Sequence, residues 1–413
     1  MFRAAWAGVG AWARVLVALV ALALGTPRAG GQDLADQLGP MGQVVPRASV
    51  AKFADMLGLT ADQREIVRTL HETYRLQYGA AMREGRAKFK AAHEKAREAG
   101  DWNAVRAEGQ RIALETSKQI EVVEREFFDN LRAVLTPEQE ARFGGVERAR
   151  RREVGMRFAF ASGSQVDLNA LCEELKVPRE GEVGAALLRW EEDIDRVLRV
   201  REATLAKVFE KAMSTPNLDD NMKLVQEIIA ELFQDAFRVR DMNRRYAREI
   251  AGLLDANAAA AFDRAFRARS FPGVYQKNGV AKLAAAVRKA GIDAERAGEL
   301  DRLEAAYRRD VMPLNDRLAQ LIEEREQEAT TRFGELMAEQ WSGGSKESPL
   351  GEAWKARRDL DDRTVARLRT LAGADAPTLD EGDRLDWGSV ARVMPDFDDR
   401  LPEDSDDDGA PPR

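Results

Sequence analysis

Side chains able to do chemistry are scarce in this chain. Its 413 residues include two histidines, His71 and His93, and one cysteine, Cys172. Nucleophilic catalysis needs a hydroxyl or thiol beside a base, and Cys172 has no evident base near it. No Gly-x-Ser-x-Gly, His-Glu-x-x-His or phosphate-loop pattern occurs, and Gly8-x-Gly10 is a chance match within an apolar leader. Zinc sites need several His, Cys or carboxylate ligands at close spacing. His71 and His93 fall on one helix, too far apart to share an ion. The stretch Asp404-Ser405-Asp406-Asp407-Asp408-Gly409 begins like a calcium loop, but the bidentate carboxylate such a loop requires is not reached by Arg413, so it reads as an acidic solvated tail. The expectation is a non-enzyme with no catalytic residue, no metal and no cofactor. Cys172, on the stripe Leu168, Leu171, Leu175, reads as a buried small apolar residue, with a bridge to a second chain as the alternative.

The more specific signal is a phrase that occurs twice, at Leu59-Thr60-Ala61-Asp62-Gln63 and Leu135-Thr136-Pro137-Glu138-Gln139. A Thr whose hydroxyl accepts from the third following N–H, with a Gln at that third position reaching back, forms a helix capping box. Thr60/Gln63 and Thr136/Gln139 fit, and Pro137 falls at the first helical position, where its fixed φ suits the helix.

These caps imply long helices, and the composition agrees. Charged residues make up 33% of the chain and aromatics 7%, the mix of surface-rich helices rather than sheets. Arg3 and Arg14 precede an apolar run, Val15 to Leu24, and then small residues, the layout of a signal peptide over 1–31. Cleavage after Gly25 or after Gly31 fits equally, and an uncleaved anchor is the alternative. The expected location is the periplasm or another exported compartment, with no stable membrane span after cleavage. Residues 32–47 read as a linker. Residues 380–413 hold 12 Asp and Glu against 4 Lys and Arg, so the tail accounts for the net charge of −7 and should be disordered. No segment is basic enough for a nucleic-acid footprint.

A long repeat organises the rest. Leu59 is followed by Leu70 and Tyr74 at the same intervals at which Ile292 is followed by Leu303 and Tyr307, and Val177 has Leu188 at the first of these intervals. Leu135 is flanked symmetrically by Phe127 and Phe143, as Leu254 is by Tyr246 and Phe262. These landmarks define three units of about 115 residues, at 48–165, 166–279 and 280–379. The fold expected is all-α: three tandem units of long antiparallel helical hairpins with short flanking helices. In the first, the stripe Val67, Leu70, Tyr74, Tyr78, Ala81, Phe89 should face the stripe Ile112, Thr116, Ile120, Val123, Phe127, Leu131 across a break at Gly100-Asp101. The later units keep Asp caps, Asp255 and Asp293, without complete boxes.

The two Leu-Thr-x-x-Gln motifs, with Asp101-Trp102-Asn103-Ala104-Val105-Arg106-Ala107-Glu108 at the turn between them, resemble the Spy/CpxP periplasmic family over residues 48–150. Later units resemble it only weakly or through spacing. The resemblance implies thin helical cradles acting as ATP-independent chaperones or as stress-responsive partners of envelope sensor kinases. It gives Leu59, Thr60, Gln63, Leu135, Thr136 and Gln139 a structural role. Family members dimerise and some bind zinc, whereas three units in one chain can cover one another's apolar stripes, which leaves the oligomeric state open. A client-binding face in the first unit would draw on Arg64, Arg68, Arg75, Arg83 and Arg86 with Tyr78, Met82 and Phe89, against the alternative that the arginines are a solvated face and the aromatics core. The expected partners are unfolded or envelope proteins, or a sensor kinase. A structural scaffold of the envelope is the competing function.

Overall fold

The computed structural model describes residues 44–99, 102–156, 161–214, 222–275, 279–341 and 348–373. All regular structure among them is helical. The leader, the linker up to residue 43, the acidic tail and the Gly100-Asp101 break lie outside the described residues.

In the first repeat a short helix, α1 (Arg47–Leu57), precedes α2 (Ala61–Ala99) and α3 (Trp102–Ala133), of 39 and 32 residues. A single turn, α4 (Pro137–Glu140), and α5 (Phe143–Gly155) close it. The two sequence stripes meet as expected: Val67, Tyr74, Phe127 and Leu131 are buried in one cluster with Phe53, Leu57, Phe143 and Val146. Near its far end the hairpin is too close for side chains at every position, and small residues allow it. A Cβ on Gly85 would stand 2.5 Å from Thr116 Oγ1.

The second stretch repeats this order. The helices are α6 (Leu168–Glu174), α7 (Gly181–Ser214), α8 (Met222–Gly252) and α9 (Ala256–Ser270), the last capped by Asp255, whose carboxylate accepts from Asn257 and Ala258 N–H. The third has a one-turn α10 (Pro272–Tyr275), then α11 (Gly279–Lys289), α12 (Ala294–Trp341) and α13 (Pro349–Ala372). At 48 residues α12 is the longer arm and α13, at 24, the shorter.

Each opening landmark follows a residue in left-handed conformation. Gly58 (φ 64°) precedes Leu59, Lys176 (φ 55°) precedes Val177, and Gly291 (φ 80°) precedes Ile292. Leu59 N–H bonds back to Ala54 and Val177 N–H to Cys172, while Gly58 reaches Asp55 and Lys176 reaches Glu173. These paired bonds are the Schellman helix ending. One landmark is corrected. Leu188 is 52% exposed, and Leu187 and Trp190 carry the core there instead. Helix α7 starts at Gly181, four residues past Val177, whereas α2 starts two past Leu59, so the phase of the buried stripe shifts.

The described residues divide into two compact units: 44–271 with 319–341, and 272–318 with 348–373. In the first, Ala329, Phe333 and Leu336 of α12 join the buried cluster of the α7–α8 hairpin. In the second, Leu283, Val287, Leu300, Leu303, Val365 and Leu368 form the core. There Arg357 is buried and donates to Asp361, Asn315 and the Val274 carbonyl, while Tyr307 donates to Asp361.

Candidate functional site

Both capping boxes form. Gln63 N–H donates to Thr60 Oγ1 at 3.3 Å and Gln63 Oε1 accepts from Thr60 N–H at 3.0 Å; Gln139 and Thr136 make the same pair at 3.4 and 3.0 Å. The two boxes are also joined to each other. Gln63 Nε2 donates to Gln139 Oε1, and Gln139 Nε2 donates to Gln63 Oε1. The second proton of each amide reaches the carbonyl just ahead of the opposite motif: Gln63 to Val134 at 2.9 Å, Gln139 to Gly58 at 3.1 Å. Each glutamine thus uses both donors and both lone pairs, which fixes its amide orientation. Leu59, 5% exposed, and the half-buried Leu135 pack beneath this clasp. The site residues read as structural are therefore brought together, with an approximate two-fold relation that neither motif reveals alone.

Residues 47–146 match the family model described as LTXXQ motif family protein. The match bears out the Spy/CpxP resemblance over this stretch. No curated protein and no solved structure matches the chain.

Within the LTXXQ segment the residues of the expected client face separate. Arg64, Arg68, Arg83 and Arg86 are exposed, while Arg75, Tyr78 and Met82 are half-buried. Phe89 is corrected: it is 6% exposed, packed so closely on α3 that a Cβ on Gly109 would lie 3.0 Å from its ring, and it belongs to the hairpin core. Arg64 pairs with Asp55 at 2.9 Å and donates to the Leu59 carbonyl; Arg68 pairs with Glu65. Arg83 and Arg86, exposed, stand within about two turns of the half-buried Tyr78 and Met82 on the same helix.

His71 is a core residue of the LTXXQ segment. It is 3% exposed and its Nε2 donates to the Val45 carbonyl at 2.7 Å, while Tyr74 accepts from Val45 N–H at 3.1 Å. One turn of α2 therefore clamps both backbone groups of a fully buried valine. Burial is the main cause holding the His71 pKa below its ordinary value, opposed by the Val45 bond and aided by Arg75 and Arg47.

No cluster of His, Cys, Asp and Glu able to hold a metal occurs among the described residues. Cys172 is buried, and burial pushes its thiol up to about 11, away from reactivity. An open groove between α12 and α13 is lined by Arg296, Glu299, Arg367 and Thr370, whose hydroxyl donates to the Ala366 carbonyl. No helix among the described residues is long and apolar enough to cross a membrane.

Sequence reasoning missed the arginines that join successive repeats. Arg150 turns back to Glu124 and Glu153 of the LTXXQ hairpin and its closing helix, whereas Arg151 pairs with Asp195 of α7. Arg152, 3% exposed, pairs with Glu191 at 3.3 Å and Asp167 at 3.6 Å and lies 5.4 Å over the Trp190 ring. The run Arg150-Arg151-Arg152 was the signal available, since three consecutive helical positions fan out over about 200° of the circumference and must address different neighbours.

Proposed function

We propose that this chain is an exported, non-enzymatic polypeptide-binding protein of Spy/CpxP type, acting in the periplasm as an ATP-independent chaperone. Export rests on the Arg3/Arg14 and Val15–Leu24 leader pattern. The observation that carries the binding reading is the clasped LTXXQ hairpin. Its base is locked by the Gln63–Gln139 pair, and its long first arm exposes Arg64, Arg68, Arg83 and Arg86 and leaves Tyr78 and Met82 half-buried. Cations draw an unfolding, often acidic client by long-range attraction, and shallow apolar contact then holds it without enclosure.

The test is suppression of light scattering by an unfolding client, with the chain at stoichiometric amounts and no nucleotide. Protection is expected, and replacing Arg83 and Arg86 by Glu should weaken it and remove its salt dependence. Absence of protection would overturn the chaperone reading.

One observation favours a scaffold instead: Phe89 and Tyr74 are buried, so two of the arm's aromatic side chains are used internally. A scaffold would hold its shape yet give no protection in the same assay.

A further inference from the structure

In an unbroken helix Phe333 N–H would donate to the Ala329 carbonyl. Gln226 of α8 takes both ends of that bond. Its Oε1 accepts from Phe333 N–H at 2.8 Å, and its Nε2 donates to the carbonyls of Ala329 at 3.1 Å and Thr330 at 2.7 Å. Between these residues Arg332 leaves helical space, with φ −129° and ψ 28°. An inserted side chain is a recognised cause of such a break. Here the fork satisfies backbone groups that the break frees.

On the apolar side, Ala329, Phe333 and Leu336 stand at i, i+4 and i+7 and are buried in one cluster with Val225, Ile228, Ile229, Leu232 and Phe233 of α8. Ahead of the break, Glu326 accepts from Ser162 N–H at 2.9 Å and from its hydroxyl at 2.5 Å, and Arg244 forks Glu323. An apolar stripe in a groove, a side-chain fork on the backbone and charge pairs along the edge are the marks of helix-in-groove recognition.

We infer that the apolar face of the α7–α8 hairpin is a groove for amphipathic helices, and that Ala319–Trp341 is its ligand in cis, displaceable by a helical segment of another polypeptide carrying the same small–aromatic–aliphatic stripe. The inference rests on the polypeptide-binding reading and adds to it a second surface with a defined ligand class. Two features make the arm displaceable. The break at Arg332 interrupts the arm's own ladder, so the backbone groups of Ala329, Thr330 and Phe333 depend on Gln226 and are freed when that side chain withdraws. Glu326 is the other. Its carboxyl is pushed up to about 7, chiefly by burial, with Ser162 and Arg240 opposing and Glu323 adding to the rise. Ser162 of the loop, Arg240 of α8 at 4.0 Å and Glu323 of α12, itself paired with Arg244 of α8, are the polar and charged groups that act on it. A docked pKa above the released one means that docking is full below the ordinary carboxylate range and weakens as pH rises through 7.

The experiment is a trans-replacement. A fluorescent peptide of sequence 319–341 is titrated into the full chain carrying Phe333→Asp, which unseats the resident arm. The peptide should bind this chain at least roughly tenfold more tightly than the unaltered chain, and more tightly at pH 6 than at pH 8. A peptide that itself carries Phe333→Asp should not bind. Equal binding of both peptides, or none of either, overturns the inference. Where the variant chain fails to fold, hydrogen exchange on the unaltered chain decides. Amides of 327–336 should exchange at least roughly tenfold faster than those of 225–239, and equal rates would make the arm an inseparable part of the core. Peptide binding without protection of an unfolding client would keep the groove and remove the chaperone reading; protection without peptide binding would do the reverse.

Discussion

The side-chain amides of Gln63 and Gln139 donate to each other, Nε2 to Oε1, at 2.7 and 2.9 Å. Each is at the same time the closing residue of its own capping box. A local device that starts one helix is thereby made conditional on a second helix start 76 residues away. Register between the base of α2 and the end of α3 follows from this, because both glutamines also hold the carbonyl that precedes the opposite motif.

Truncating one glutamine should cost more than a capping residue does. Gln139→Ala removes its bonds to Thr136 N–H, the Gly58 carbonyl and Gln63, and leaves a part-buried amide on Gln63 without its partner. A loss of roughly 2–3 kcal/mol is expected, read by urea denaturation with hydrogen exchange reporting on residues 47–146. In a double-mutant cycle with Gln63→Ala the two losses should couple by about 1–2 kcal/mol. Additive losses would show that the boxes act separately.

Acid should loosen this same segment through His71. Burial holds its folded pKa below the ordinary 6.5, so the unfolded chain binds the proton more readily. Stability is then full above the unfolded value and falls as pH drops below it. His71→Gln keeps a donor for the Val45 carbonyl and removes the titration. Its stability should vary less between pH 7 and pH 5 than that of the unaltered chain, as measured by denaturation at each pH. An unchanged slope would place the acid sensitivity elsewhere.

Two glycines in helix interiors should respond oppositely to alanine. At Gly85 a Cβ would meet Thr116 Oγ1 at 2.5 Å and Cγ2 at 3.0 Å, whereas at Gly298 nothing lies within 4 Å. Alanine gains about 1 kcal/mol of helix propensity at either site. Overpacking of roughly 1–3 kcal/mol outweighs it at the first only. Thermal unfolding should show Gly85→Ala destabilised and Gly298→Ala stabilised, and a gain at both would mean that α2 and α3 are farther apart than the structure places them.

Sequence reasoning succeeded where a contact is local and failed where it is tertiary. Thr60 and Gln63 lie three residues apart, so their box is written in the chain; the Gln63–Gln139 pairing depends on how a hairpin folds back and leaves no local trace. The stripe through Val67, Tyr74 and Phe127 was legible because helical period and burial coincide there. Leu188 misled because the spacing was counted from Val177 while the helix begins at Gly181. Phe89 was legible as part of the hairpin stripe, and its role as core rather than client surface was settled only by the close approach of α3 at Gly109. In α12 the visible helix-breaking residue is Pro313, yet the non-helical backbone falls at Arg332. A glutamine from another helix takes the backbone groups there, which no pattern within α12 could announce.

The seam between successive repeats gives the last prediction. Arg152 is buried between α5 and α7, with Glu191, Asp167 and the Trp190 ring as its neighbours. Removing one partner of a buried pair strands the other, so Arg152→Ala should cost about 3–5 kcal/mol. Arg152→Met restores the stem's contact with Trp190 and should recover part of the loss, since some of what the arginine contributes is packing. Arg196→Ala is the control: its pair with Asp193 joins a 72%-exposed guanidinium to its own helix and should change stability by less than about 1 kcal/mol. Hydrogen exchange should locate the damage. With Arg152→Ala, amides of α6 and the first half of α7 lose protection while those of α2 around Tyr74 keep it, because the LTXXQ hairpin carries its own core and its own clasp. Equal loss in both places would mean that the repeats unfold as one body and that the arginine run does not mark a seam.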